Sequence, residues 1–465
     1  MSVPPSRNSV RASPERSHPT SPLRQVYAGS PGRVLLDMES ANLTPWIVLI
    51  LLSAGGSILF ESRLLGATAG ILSLMLAAAW VWFKLSLEAV SYERRFTDAE
   101  GLEDVNHETR AFLGEEVQLT LRVHNRKLLP LNWLRIADTF PAHLELQGAE
   151  VQVNRVTNQG ELTSFWTLGA FETVERNFII PCSRRGFATY GPATLTSGDG
   201  FGFFTQRARL QQEHRLIIYP RLYTAAELGL PAKDPFGEKA SDQLIFEDPL
   251  RHAGIREWQP DDGLRRVHWR ASAKHQHLLS RIYEPSEEPQ IQIILNVATL
   301  ERYWEGIIES KHELAVSVAG TLAQIATEAR MPAGMMANGY LPGSDQEIRL
   351  RPGRSRGQLV QILELLAAVT PYASQPIETL LLRKAPTLPW GATLVVVTAV
   401  TYDALLEATL ELAHSGRRVL LFSLADAPPE RPLPGVVVYH LAQLVGDALM
   451  VDELTATRLL TRPPL

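Results

Sequence analysis

Between Gly254 and Lys274 the chain carries an unusual density of groups that can do chemistry. Asp261 and Asp262 are adjacent carboxylates, and His268 follows six residues after the second. Such a set can supply acid and base groups or ligate a metal. Arg256, Arg265, Arg266 and Arg270 offer forked donors for carboxylates, and Trp258 and Trp269 offer ring faces for cations. Two chemistries therefore compete, catalysis and recognition. Neighbouring residues on an extended strand point to opposite faces, which separates Asp261 from Asp262. A carboxylate pair before Gly263 is also the ordinary composition of an Asx-type turn. No nucleophile elbow, P-loop or zinc-ligand spacing occurs along the chain. The sequence is read as that of a protein that is not an enzyme, with an enzyme using Asp261, Asp262 and His268 as the weaker alternative. The segment becomes a binding surface or an interdomain brace made by Arg256, Glu257, Trp258, Asp261, Asp262, Arg265, Arg266, His268, Trp269 and Arg270. Burial of the two tryptophans means a brace, and exposure a binding surface.

A second dense stretch runs through Arg185-Gly186, Tyr190-Gly191-Pro192 and Ser197-Gly198-Asp199-Gly200-Phe201-Gly202-Phe203-Phe204. Its glycines fit a phosphate cradle poorly, because no Lys-Ser/Thr follows and no helix opens after them. Tight turns bracketing strands account for them better.

Residues 43–84 differ sharply from what precedes them. Pro45 to Phe60 and Leu64 to Phe83 are free of charge, with only Glu61, Ser62 and Arg63 between. A spanning helix takes about 20 apolar residues. The second run meets that length, and the first is slightly short. Neither shows the polar face of a surface helix. Two transmembrane helices in a hairpin are predicted, with Trp46, Trp80 and Trp82 near the interfaces. Residues 1–42 are rich in Ser, Pro and Arg and are read as a disordered tail. Five tail arginines on one flank, and Lys84, Arg94 and Arg95 on the other, outweigh the single Arg63 of the turn. The positive-inside rule places both flanks in the cytoplasm, so the protein is expected in the inner or plasma membrane. A single cysteine, Cys182, agrees with a reducing compartment. A net charge of −5 argues against general nucleic-acid binding. No small-molecule substrate or cofactor is indicated, and the lipid bilayer is the expected partner.

The rest must position the charged segment. Residues 90–221 alternate in period two, most plainly at Val117, Leu119, Leu121 and Val123, which predicts an all-β sandwich. Residues 222–288 are read as a linker carrying the charged segment. In 289–465 the continuous apolar runs Ile291–Val297 and Thr393–Ala399 alternate with helical stretches such as Glu301–Arg330, Arg354–Ala368 and Thr401–Ser415. That pattern predicts a doubly wound α/β domain around a parallel sheet. The chain is thus multi-domain.

Arg256-Glu257-Trp258, Pro260-Asp261-Asp262, Arg265-Arg266 and the run Val267 to Ala273 together resemble the signature of the domain of unknown function 58 family of bacterial membrane proteins. Tyr190-Gly191-Pro192, Asp199 to Phe204 and Tyr219-Pro220 add to the resemblance, while Asp261 stands where that family usually has glycine. The resemblance implies a von Willebrand factor A-like C-terminal domain and association with a MoxR-type AAA+ ATPase. The function expected is a membrane-anchored docking protein, or else an envelope-assembly scaffold without an ATPase partner. A-type domains often hold a divalent cation through Asp-x-Ser-x-Ser. Here Asn296, Ala298 and Leu300 occupy those positions and the later strand ends Thr398-Ala399-Val400-Thr401, so no such metal site is expected.

Overall fold

The computed structural model describes residues 34–40, 43–98, 101, 107–231, 236, 247–260, 262–285, 290–344, 346–355, 357–389, 391–441, 444 and 446, with backbone only at 34–40, 247–253 and 282–285. Most of the tail read as disordered, and residues 447–465, lie outside the described residues. Two units interleave along the chain. One takes Met1–Thr109, Val117–Ile180 and Ala188–Leu216, and the other Arg110–Glu116, Pro181–Phe187 and Ile217–Leu465.

The first unit begins with β1 (Val34–Ser40), α1 (Thr44–Leu59) and α2 (Arg63–Ser86). Its β-rich part follows as β2 (Val90–Thr97), β3 (Glu108–Phe112), β4 (Glu116–Asn125), β5 (Leu131–Pro141), β6 (Val151–Asn154), β7 (Gln159–Leu168), β8 (Thr173–Pro181), β9 (Gly186–Tyr190), β10 (Ala193–Gly198), β11 (Phe204–Leu210) and β12 (His214–Tyr219). The chain crosses between units within β3, β4, β8, β9 and β12. A six-stranded sheet runs β1-β11-β10-β5-β7-β6, and a three-stranded sheet runs β2-β4-β8. β1 was not anticipated. It lies inside the stretch read as a disordered tail, and pairs antiparallel with β11, Val34 opposite Leu210. Its alternation of Val34, Leu36 and Met38 is short enough to be masked by the Ser/Pro/Arg background around it.

β4 obeys the period-two reading, with Val117, Leu119, Leu121 and Val123 all buried. Burying each such side chain is worth roughly 1.5–3 kcal/mol. Tyr190 stacks on Phe140 of β5 at 5.4 Å and meets Phe96 of β2 edge-on at 5.1 Å, so one ring joins residues of both sheets.

α2, at 24 residues, is long and apolar enough to cross a membrane by length and composition. α1 has 16 residues, about 24 Å at 1.5 Å per residue, short of a ~30 Å hydrocarbon layer. The two pack through small residues: a Cβ on Gly66 would lie 2.8 Å from Ser57 Oγ. The outer faces are bare apolar surface, with Leu52 68%, Ile58 82% and Leu74 72% exposed. A core helix of a soluble protein would bury such residues, so the exposure is compatible with membrane anchoring. Lys127, on the β4–β5 connection, closes the end of α2 by donating to the carbonyls of Leu85, Ser86 and Glu88. Partial burial lowers its ammonium to about 8.

The second unit holds a two-stranded antiparallel ribbon, β13 (Glu247–Glu257) and β14 (Leu279–Pro285), with the short helix α3 (Trp269–His275) between them. Then come β15 (Gln290–Leu295), α4 (Glu309–Glu328), β16 (Ala333–Ala337), β17 (Ile348–Gly353), α5 (Gln358–Ala368), α6 (Ile377–Lys384), β18 (Ala392–Thr398), α7 (Asp403–His414), β19 (Val419–Ser423) and β20 (Val436–His440). The sheet order is β17-β16-β15-β18-β19-β20. All neighbours are parallel except the antiparallel edge β17, so the sheet is mixed rather than wholly parallel. β17 escapes the sequence reading because the alternation of Ile348 and Leu350 with Arg349 and Arg351 lasts only four residues before Pro352, and an edge strand buries little. Ile294, Met336, Leu394, Val396, Val419 and Leu421 form one core with α6 and α7. Alternate residues such as Ile293, Leu295, Val395 and Val397 face the other way and are equally buried. α4 starts at Glu309, not Glu301: residues before it form a loop whose end is held by the Ile308 N–H donating to Thr299 Oγ1 at 2.8 Å.

Candidate interaction site

The charged segment is the connection at the tip of the β13–β14 ribbon. Its root is closed by the Trp258 N–H donating to the Leu278 carbonyl at 3.0 Å and the His268 N–H to the Leu279 carbonyl at 2.8 Å. Asp262 is 4% exposed and accepts from Arg256 Nη2 at 2.5 Å and from the Gln259 N–H at 3.0 Å. It thus closes a turn backward onto Gln259 and holds Arg256 as its counterion. Residues 264–266 make a single 3-10 turn. His268 caps α3, its Nδ1 accepting from the Ala271 N–H at 3.1 Å. Ser272 Oγ accepts from the Leu279 N–H at 2.9 Å, tying α3 to β14. These bonds occupy Asp262 and His268 with the turn and the cap, and Asp261 lies outside the described residues.

Most of the remaining side chains face solvent. Glu257, Arg265 and Arg270 are exposed, Arg266 is half-buried, and Trp269 is 62% exposed. Lys274, His275 and His277 are exposed beside them, with Leu264 and Leu278. From Gly263 to Tyr283 there is no acidic residue, against Arg265, Arg266, Arg270, Lys274 and Arg281. The tryptophans part company. Trp258 is half-buried, its indole nitrogen inaccessible and without a hydrogen-bond partner among the described residues, whereas Trp269 lies open. The arrangement can present cations and one indole to an acidic surface.

Residues 254–459 match the model of a family described as protein of unknown function DUF58. The DUF58 match therefore begins in β13 and takes in the ribbon tip and the α/β sheet. No curated protein matches the chain. Among solved structures, the C-terminal domain of Wzt is 7% identical, covering 29% of this chain and 75% of its own, at a TM-score of 0.20. A CARDB domain from Pyrococcus furiosus is 8% identical, covering 28% and 96%, at 0.18. A non-cellulosomal cohesin from Archaeoglobus fulgidus is 11% identical, covering 27% and 91%, at 0.16.

Two further polar constructions lie in the second unit. At the carboxyl ends of β15, β16 and β18, Asn296 Nδ2 donates to Thr398 Oγ1 at 3.0 Å, and Asn338 Nδ2 to Asn296 Oδ1 at 3.0 Å. Asn296 Oδ1 also accepts from the Ala298 N–H at 3.2 Å, and Asn338 Oδ1 from the Val297 N–H at 2.9 Å. The side-chain oxygens that would face a divalent cation are engaged by N–H donors, and Ala298 and Leu300 carry no ligating atom. This residue set does not fit a hard cation.

The second construction was missed in the sequence, where Arg185 stood only as the neighbour of a turn glycine. Its side chain is 5% exposed and donates to Glu313 Oε2 at 2.7 Å, to the carbonyls of Leu366 and Val369 at 2.6 and 3.0 Å, and to His312 Nε2 at 2.7 Å. The carbonyls belong to the end of α5, whose last turn has no partner within the helix. With Nε2 accepting, Nδ1 carries the proton toward the Val297 carbonyl at 3.3 Å. Burial first, then the Arg185 charge, lowers the His312 imidazolium to about 3.

His312 therefore stays neutral in the fold at pH values where the unfolded chain protonates it. Between about 3 and 6.5 the unfolded state binds the extra proton, so stability rises with pH in that window and is lost on acidification. The group adds a slope of about 1.4 kcal/mol per pH unit. Denaturant unfolding of the full chain in detergent between pH 4 and 6 should show that slope reduced in His312→Gln. Equal slopes in both proteins would refute the assignment.

Proposed function

We propose that this chain is a membrane-anchored docking protein. In this reading α1 and α2 form a transmembrane hairpin, the α/β unit is a von Willebrand factor A-like platform on the cytoplasmic side, and the tip of the β13–β14 ribbon receives a MoxR-type AAA+ ATPase. The observation that carries it is the division of labour within the charged segment. Asp262, Arg256, His268 and Ser272 are spent on fixing the turn and α3, while Arg265, Trp269, Arg270 and Lys274 stand exposed with no acid among them. Exposed tryptophan and arginine on a rigid support are the residues that dominate binding energy at interfaces. A complementary partner surface is acidic.

The test is a gentle-detergent pull-down from native membranes with wild type and with a Trp269→Ala, Arg270→Glu double variant. Both side chains point to solvent, so the variant keeps the fold, which circular dichroism verifies. Arg256 is unsuitable for substitution because it holds Asp262. Wild type should bring down an AAA+ ATPase, identified by mass spectrometry, and the variant should lose it by more than about tenfold. If no ATPase accompanies either protein, the docking reading fails and an envelope-assembly scaffold takes its place.

A further inference from the structure

The β10–β11 turn carries Asp199-Gly200-Phe201-Gly202-Phe203-Phe204 in the same unit as α1 and α2. Asp199, 1% exposed, shapes the turn from inside: Oδ1 accepts from the Phe204 N–H at 2.6 Å and Oδ2 from the Phe201 N–H at 2.8 Å. Gly202 sits at φ +82°, where a side chain would be strained. The carboxylate and glycine set the course of the turn, and two of its three phenylalanines reach the helices. Phe203 meets Trp46 edge-on at 5.1 Å, and Phe204 packs against Phe83 at 5.3 Å. Phe83, Phe203 and Phe204 share one buried cluster with Ala79 of α2.

Trp46 lies in the first turn of α1 and Phe83 in the last turn of α2, so the β10–β11 turn sits at the open end of the helix pair, where Trp80 is also exposed and Lys84 lies over its ring at 5.9 Å. Aromatic rings beside a lysine at a helix end are the composition of a membrane–water interface. Phe201 is stacked on Phe203 at 5.9 Å, and so lies next to the ring that meets Trp46, yet it is 62% exposed. In water, that ring has no reason to be held outward by a buried carboxylate.

We propose that the 199–204 turn is a further membrane-contacting element, placing Phe201 in the interfacial layer of the bilayer with lipid as its partner. This rests on reading α1 and α2 as a membrane anchor. The turn would fix the height of its β-sheet above the bilayer, because Asp199 ties both limbs of the loop together. Nitroxide labels on Phe201→Cys, Leu74→Cys and Val156→Cys test it in the full chain, reconstituted in phosphatidylcholine–phosphatidylglycerol nanodiscs. Native Cys182 is fully buried and stays unlabelled. Leu74 is exposed in mid-α2, and Val156, 95% exposed on the β6–β7 turn, reports water. Power saturation should show position 201 accessible to oxygen and shielded from a water-soluble nickel chelate, as at 74 and unlike 156. If 201 behaves like 156 while 74 reads lipid, the turn is no membrane element and the anchor stands. If 74 also reads water, the anchor fails and the proposal with it.

Discussion

Arg185→Ala is expected to destabilise the second unit by about 3–5 kcal/mol, because one buried guanidinium serves several buried acceptors at once. The substitution strands several groups at once. Glu313 loses its counterion, and the carbonyls of Leu366 and Val369 lose their donor in a place water does not reach. A buried polar group left without a partner costs about 1–3 kcal/mol, which is why the loss exceeds that of an ordinary hydrogen bond. Thermal unfolding should fall by roughly 10 °C for a domain of this size. Arg185→Lys keeps the charge but has no fork with which to reach Glu313, His312 and the carbonyls together, so it should recover only part of the loss. Should Arg185→Ala fail to accumulate, the lysine variant still gives the measurement. An alanine variant melting within a degree of wild type would show that the cluster contributes little.

Arg94→Ala should cost the first unit about 3 kcal/mol at neutral pH. Asp138 is 1% exposed and is held by Arg94 Nη1 at 2.9 Å and by the Tyr92 hydroxyl at 2.6 Å. Burial already raises its carboxyl above the ordinary range despite the Arg94 charge. Burial likewise raises the Tyr92 phenol, which keeps it a donor. Without the guanidinium, the folded-state carboxyl moves further up while the unfolded value stays near 3.9. The penalty is then absent below the unfolded value and grows as pH rises toward the folded one. Arg94→Ala should therefore approach wild-type stability near pH 4 and diverge from it at pH 7, and Arg94→Ala with Asp138→Asn should regain much of the loss. A pH-independent loss would mean that packing of the arginine stem, not charge, is what Arg94 supplies. The site is tight for the same reason: a Cβ on Gly191 would fall 2.5 Å from the Gln212 carbonyl and 2.9 Å from Arg94 Nη1.

Much of the scaffold is legible in the sequence. The α2 helix, the half-buried β4 and the continuous apolar β15 and β18 each announce themselves within about ten to twenty residues, because transfer free energy and backbone period act locally. Val117, Leu119, Leu121 and Val123 needed no partner to be named as inward-facing. The ribbon β13–β14 reads as linker in the sequence, since its strands are separated by the charged segment they present. β1 and β17 were lost because an edge strand gains little from its own residues and much from the neighbour it joins. For the charged segment the sequence determined the inventory of arginines, carboxylates and indoles, and the tertiary structure decided their roles. Asp262 turned inward to Arg256, His268 became a cap, and Trp269 was left in the open. Arg185 shows the limit most clearly: its partners lie 127 to 184 residues further along the chain. A polar group's chemistry depends on which distant segment folds beside it, and no local pattern encodes that. The sequence alone determined which residues must leave water, and only the tertiary structure decided which charges would meet once they had.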